Sequence, residues 1–136
     1  MPRTNRQFEK VLHEEIHIRL EALKPQCIWF SPPNGMFLPA RSDDERAFVR
    51  RLVSQMKKSG MLQPGVPDWI FLWQNGCGVI EEKRAAVKTL FERIPRGQLS
   101  PAQKDFRDRC QTIGVDYRIA DCWEDVHTAL KEWGRI

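Results

Sequence analysis

The sequence predicts an α/β fold, with a mixed β-sheet flanked by helices in the order α, β, α, β, β, α, β, α. Three observations carry that expectation. Apolar residues recur at helical spacing in the first and last segments. Two β-rich runs, Asp68 to Trp73 and Gly78 to Lys83, are separated by Gln74-Asn75-Gly76-Cys77, a turn-forming tetrad. Capping residues bound the segments between them. At 136 residues the chain has room for one core, and therefore for one domain over 1–136.

Taken in order, Phe8, Val11, Leu12, Ile16, Leu20 and Leu23 form one helical stripe, so a helix is expected from about Asn5 to Leu23, closed by Pro25. Cys27 to Phe30 suits a short strand ended by the Pro32-Pro33-Asn34-Gly35 turn. Ser42 or Asp43 caps a second helix with acids in its first turn, Lys57 and Lys58 in its last, and Gly60 as its stop. The Asn75-Gly76 pair makes a hairpin of the next two strands. Residues Ala85 to Gly97 form a basic excursion with at most a turn of helix around Val87 to Phe91. Ser100-Pro101-Ala102-Gln103 combines an N-cap, a proline at the first helical position and a capping-box glutamine, opening a helix that ends at Gly114. Val115 to Ala120 is a strand, and Asp121 caps a last helix with Trp123, Val126, Leu130 and Trp133 on one face.

Composition narrows the class of protein. Hydrophobic residues make up 41% and charged residues 29%, which is globular rather than disordered. Lys and Arg outnumber Asp and Glu by 22 to 18, a lean towards a polyanionic partner. Cys27, Cys77, Cys110 and Cys122 stand far apart with no C-x-x-C pair, so a zinc knuckle or redox motif is not expected, and reduced thiols in a cytoplasm fit best. The start of the chain lacks an apolar signal core, and the longest apolar run, Trp69 to Trp73, is too short to span a bilayer, so no membrane partner is expected.

The chemistry concentrates in the hairpin. Alternation along a strand puts Glu81 and Lys83 on one face, and Ile80 and Glu82 on the other. With Asn75-Gly76 as the turn, Cys77 pairs with Gln74 and Lys83 with Asp68, which gathers Asp68, Glu81 and Lys83 on one surface. Two carboxylates so close repel, and a hard dication between them relieves that repulsion. Oxygen ligands suit Mg²⁺ or Mn²⁺, and Lys83 is placed to orient a water or to stabilise charge developing on phosphorus. The plain alternative is an Asp68–Lys83 ion pair with Glu81 at the fringe of the sheet. Against it, Trp69 to Trp73 and Gly78 to Ile80 read as buried on both faces, where a charge cluster needs a reason. Glu9 is a further acid, misplaced on the apolar face of the first helix, although the helix dipole also favours a first-turn acid there.

Two other motifs compete. His13-Glu14-Glu15-Ile16-His17 spells HExxH, a zinc-peptidase pattern, but Glu15 and Arg19 interrupt its flanks and no third ligand is evident, so both histidines read as solvent-flank residues. Arg46, Arg50, Arg51, Lys57 and Lys58, with Lys88, Arg93 and Arg96, would equally serve a non-catalytic nucleic-acid-binding module.

Together, PGVPD at Pro64 to Asp68, VIEEK at Val79 to Lys83 and LSPAQKDF at Leu99 to Phe106 resemble the VRR-NUC (virus-type replication-repair nuclease) family of the PD-(D/E)XK superfamily. The likeness extends to the helix with Glu9, to Pro33-Asn34-Gly35 and to Trp123-Glu124, and so covers most of the chain. It implies a restriction-endonuclease-like sheet and a Mg²⁺- or Mn²⁺-dependent DNA endonuclease. Asp68 and Glu81 would bind the metal with the Glu82 backbone carbonyl, and Lys83 would be the catalytic lysine. Gln103 would support the site, and Glu9 would match the acid of the first helix. Asn34, Arg84, Lys88 and Arg96 are the expected DNA contacts. Stand-alone members resemble junction-resolving enzymes that act on branched DNA such as Holliday junctions or flaps, often as homodimers. Three departures stand out: Glu82 where relatives often carry an apolar residue, His13 where they tend to carry glutamine, and an excursion longer than expected.

Overall fold

The apolar stripe of the first segment winds into α1 (Asn5–Leu23) and lays Leu12, Ile16 and Leu20 into the core. The structure, a computed structural model, describes residues 5–33, 40–60 and 62–136. After α1 come β1 (Ile28–Phe30), α2 (Asp43–Lys58), β2 (Trp69–Trp73), β3 (Gly76–Glu82), β4 (Val87–Lys88), β5 (Arg93–Ile94), α3 (Pro101–Ile113), β6 (Asp116–Ala120) and α4 (Trp123–Glu132). Four helices and a mixed sheet are present, as the α/β expectation requires, and the excursion contains a small β4–β5 hairpin where at most a turn of helix was expected.

A mixed, four-stranded sheet runs β1-β2-β3-β6. β1, β2 and β3 are antiparallel neighbours, whereas β6 joins β3 in parallel, a pairing that requires the long crossover through the small hairpin and α3. On one face, Trp69, Phe71, Ile80 and Ala120 pack against α1 and against Trp123, Val126, Ala129 and Leu130 of α4. Gly78 belongs to that face, where a Cβ would overlap the Trp133 ring. α3 covers the other face beside β6, burying Cys110. Helices therefore flank the sheet on both sides, as expected.

β3 is buried on both faces from Gly78 to Glu82, but β2 is not: Leu72 is exposed, as are Ile28 and Phe30 beside it on β1. The expectation that β2 is enclosed on both sides is corrected accordingly, because no described helix covers the β1–β2 end of that face. α2 is capped by Ser42, whose side chain accepts from the Glu45 N–H, and none of its residues is buried. The capping box of α3 is complete, and Gly114 closes that helix in the left-handed region. The cap expected at α4 shifts by one residue. Cys122 occupies the N-cap position without a side-chain bond, and the Asp121 carboxylate pairs with Arg96 instead. All four cysteines are free, and no described helix is long and apolar enough to cross a membrane.

Candidate active site

The hairpin that builds the site turns one residue earlier than the Asn-Gly pair suggests, which changes the cross-strand pairing by two. Trp73 pairs with Gly76 and Trp69 with Ile80, so the turn is Gln74-Asn75, and the same register carried onward sets Asp68 opposite Glu81 rather than Lys83. A shift of two preserves the parity of a strand, so the predicted face survives the corrected register. The Glu82 backbone N–H donates to Asp68 Oδ2 at 2.7 Å, which pins that carboxylate at the end of β3. The PGVPD loop is held from the other side. Gly65 has φ +72°, and its backbone lies so close to Ala102 on the first turn of α3 that a Cβ would collide with the carbonyl.

That contact brings α3 to the acids. Gln103 Nε2 donates to Glu81 Oε1 at 2.6 Å, and Lys83 Nζ lies 3.4 Å from the same oxygen. The other oxygen, Glu81 Oε2, is buried and has no hydrogen-bond partner among the described residues. Gln103 also completes the capping box with Ser100, so its side chain fixes the helix start and the glutamate together. Asp68, Glu81, Lys83 and Gln103 therefore share one corner of the sheet.

Burial and the neighbouring Asp68 push the Glu81 carboxyl up to about 8, with Lys83 pulling the other way. Asp68 is also raised by burial, against the Glu82 N–H and the charges of His13 and Lys83. Two acids that cannot comfortably ionise together, one with an oxygen lacking any donor, form an oxygen-rich place for a small dication. Glu9 borders this group. Burial raises its carboxyl, while Lys83 and the Arg84 backbone N–H oppose that shift. Its oxygens do not converge with those of Asp68 and Glu81: among the described residues, three such ligand atoms lie within 4.8 Å of one another only at Asp121, Cys122 and Asp125. Glu9 thus stands at the border of the Asp68–Glu81 pair, its carboxylate apart from theirs. Arg96 spans the Asp121 and Asp125 carboxylates at 3.2 and 3.9 Å, which accounts for that acidic group without an ion.

The Glu82 side chain lies on the opposite face, as alternation requires. Its Oε1 accepts from Trp69 Nε1 and lies 2.8 Å from His13 Nδ1, and the His13 ring stacks on Trp69 with centroids 4.5 Å apart. Burial raises Glu82, and its bond to His13 raises the histidine. His13 is therefore not the solvent-flank residue expected, and one histidine of the HExxH pattern is engaged with Glu82. No local pattern reveals this contact, since 69 residues separate the partners. Tyr117 is a second omission. It sits on the Glu81 face of β6, its hydroxyl lacks a partner among the described residues, and burial and the Glu81 and Asp68 charges raise it. Strand alternation in β6 was the available signal.

The expected DNA contacts divide. Lys88 is exposed on β4. Arg84 is buried, donating from Nη1 to the Ala85 carbonyl at 3.0 Å and from Nη2 to the Pro95 carbonyl at 2.6 Å. Those two bonds clamp the excursion, while the Arg84 Nε has no hydrogen-bond partner among the described residues. Arg96 donates to the Ile119 carbonyl and pairs with Asp121 and Asp125, so its charge is already answered. Asn34 lies outside the described residues.

Scans against protein-family models, curated proteins and solved structures each return no match for this chain.

Proposed function

We propose that this chain is a metal-dependent DNA endonuclease that hydrolyses phosphodiester bonds, with a restriction-endonuclease-like sheet and the VRR-NUC arrangement of motifs. The single observation that supports this reading is the buried, donorless Glu81 Oε2 beside Asp68, with Lys83 against the same carboxylate. In this reading, Asp68, Glu81 and the Glu82 backbone carbonyl hold Mg²⁺ or Mn²⁺. When bound, the ion supplies Lewis-acid polarisation of a phosphoryl oxygen.

The chain's own residues supply the rest. The Glu82 N–H fixes the Asp68 carboxylate, and Gln103 fixes that of Glu81, so neither acid must reorganise when an ion or phosphate arrives. Lys83 places a positive charge where negative charge accumulates on the phosphorus oxygens, in surroundings dry enough to strengthen it. Branched DNA acted on by a homodimer is the substrate and assembly that the family resemblance favours.

The test is a panel of end-labelled linear, flap and four-way DNAs incubated with Mg²⁺, Mn²⁺ or chelator. Cutting with either ion, lost in chelator and in Glu81→Ala and Lys83→Ala, is the expected result. DNA that is bound in Mg²⁺ but never nicked makes the chain a non-catalytic nucleic-acid-binding module instead.

A further inference from the structure

The excursion after Lys83 plays no part in the chemistry above, yet it is well ordered by its bonds. Val87 pairs with Ile94 and Lys88 with Arg93. Thr89 ties the turn: its N–H donates to the Glu92 carbonyl at 2.8 Å, and its hydroxyl accepts from the Glu92 N–H at 2.9 Å. At the root, Arg84 bonds the Ala85 and Pro95 carbonyls, and the Gly97 N–H donates to the Arg84 carbonyl at 2.9 Å. A fixed projection thus leaves the sheet directly beside the candidate active site.

Its tip carries Leu90 and Phe91, exposed to 96% and 94%. A single apolar side chain in water is ordinary, but two large neighbours at the apex of a tied turn are not explained by folding. Below them Lys88 and Arg93 face each other across the stem, and neither has a salt-bridge partner among the described residues. Like charges placed opposite each other destabilise a hairpin, and an intervening polyanion removes that cost. Apolar wedge above, cations below: this is the chemistry with which proteins enter base stacks while holding the flanking phosphates. From Ala86 to the tip is roughly 13 Å at the strand rise, several times a base step.

We propose that the 87–94 hairpin is a wedge that inserts Phe91, with Leu90, at an unstacked step or branch point of DNA and so positions the strand over the candidate active site. The identity of the partner rests on the DNA-cleaving reading, so the test is made without cleavage. 2-Aminopurine is placed at the branch of a four-way DNA in chelator, and fluorescence and affinity are read together. The wild type is expected to raise the fluorescence at saturation. Leu90→Ser/Phe91→Ser is expected to abolish the rise and weaken branched-DNA binding about tenfold, and Phe91→Trp to retain the rise. Wild-type protein that binds without a rise, or a double variant that keeps it, overturns the wedge. So does tip-dependent binding to phosphatidylserine vesicles with no rise on DNA, and so does a tip-dependent dimer seen by light scattering in its place. A tip-dependent rise from a protein that never cuts with Mg²⁺ upholds the wedge while the nuclease reading falls; cutting without any rise gives the reverse.

Discussion

Glu81 and Glu82 are adjacent, each 3% exposed, and opposite in circumstance. On its face of the sheet Glu82 is met by the Trp69 indole N–H and by His13, two contacts that offset the cost of burying a carboxylate. On the other face Glu81 receives Gln103 and Lys83 at one oxygen and nothing at the second, with Asp68 beside it. With equal burial, Glu82 is tied into the fold, whereas Glu81 keeps the unpaired oxygen on which the proposed metal site rests.

The contrast can be broken most sharply by paired substitutions. Glu81→Ala or Lys83→Ala is expected to cut DNA at least about 100-fold more slowly than wild type, with the unfolding midpoint little changed; retained cutting refutes the assignment. Glu82→Ala should behave in the opposite way. It leaves the Trp69 N–H and His13 unpaired and lowers stability by about 2–3 kcal/mol, measurable by urea unfolding, and any loss of cutting should recover on cooling.

Metal distinguishes the two faces next. Mg²⁺ or Mn²⁺ at about 100 times its dissociation constant should stabilise the wild type by about 2.7 kcal/mol and leave Glu81→Gln nearly unmoved. An equal shift in both proteins would place the ion elsewhere.

The smallest effect is in the pH profile without metal. Glu81 is raised from 4.5 to about 8, so between those values the folded protein keeps a proton that the unfolded chain has released, and stability falls as pH rises. Asp68 and Glu82, also raised by burial, act in the same direction. His13 is raised from 6.5 by Glu82, so its contribution is complete below 6.5 and is lost only as pH climbs through the raised value. Unfolding in chelator at pH 5, 6.5 and 8 should therefore show an early decline that Glu81→Gln reduces and a late one that His13→Gln reduces. A flat wild-type profile contradicts both.

How much of this was legible beforehand depended on distance along the chain. Helical stripes and caps are local, so α1, α2 and α3 fall close to where periodicity and Ser42, Ser100 and Gly114 place them. Strand parity is local too, which is why Glu81 and Lys83 were assigned to one face while the pairing itself was off by two residues. The Asn-Gly pair misled for a physical reason. Gly76 is a paired strand residue that leaves room for the Trp73 ring, and Asn75 alone of the two adopts positive φ, at +64°. Contacts across long separations were not legible. Nothing near His13 announces Glu82, nothing near Arg84 announces the Pro95 carbonyl, and Arg96 looks like a free cation until β6 and α4 bring up Asp121 and Asp125.

The parallel pairing of β3 with β6 has a temporal consequence. Glu81 lies beside Ile119 and Glu82 beside Ala120, so the strand bearing the acids stays a sheet edge until residues 116–120 have been made. On the ribosome, the chain emerges with its acids and lysine before the neighbour that encloses them, and the candidate site is assembled only after residues 116–120 have followed. A nascent fragment ending before Asp116 is expected to be inert.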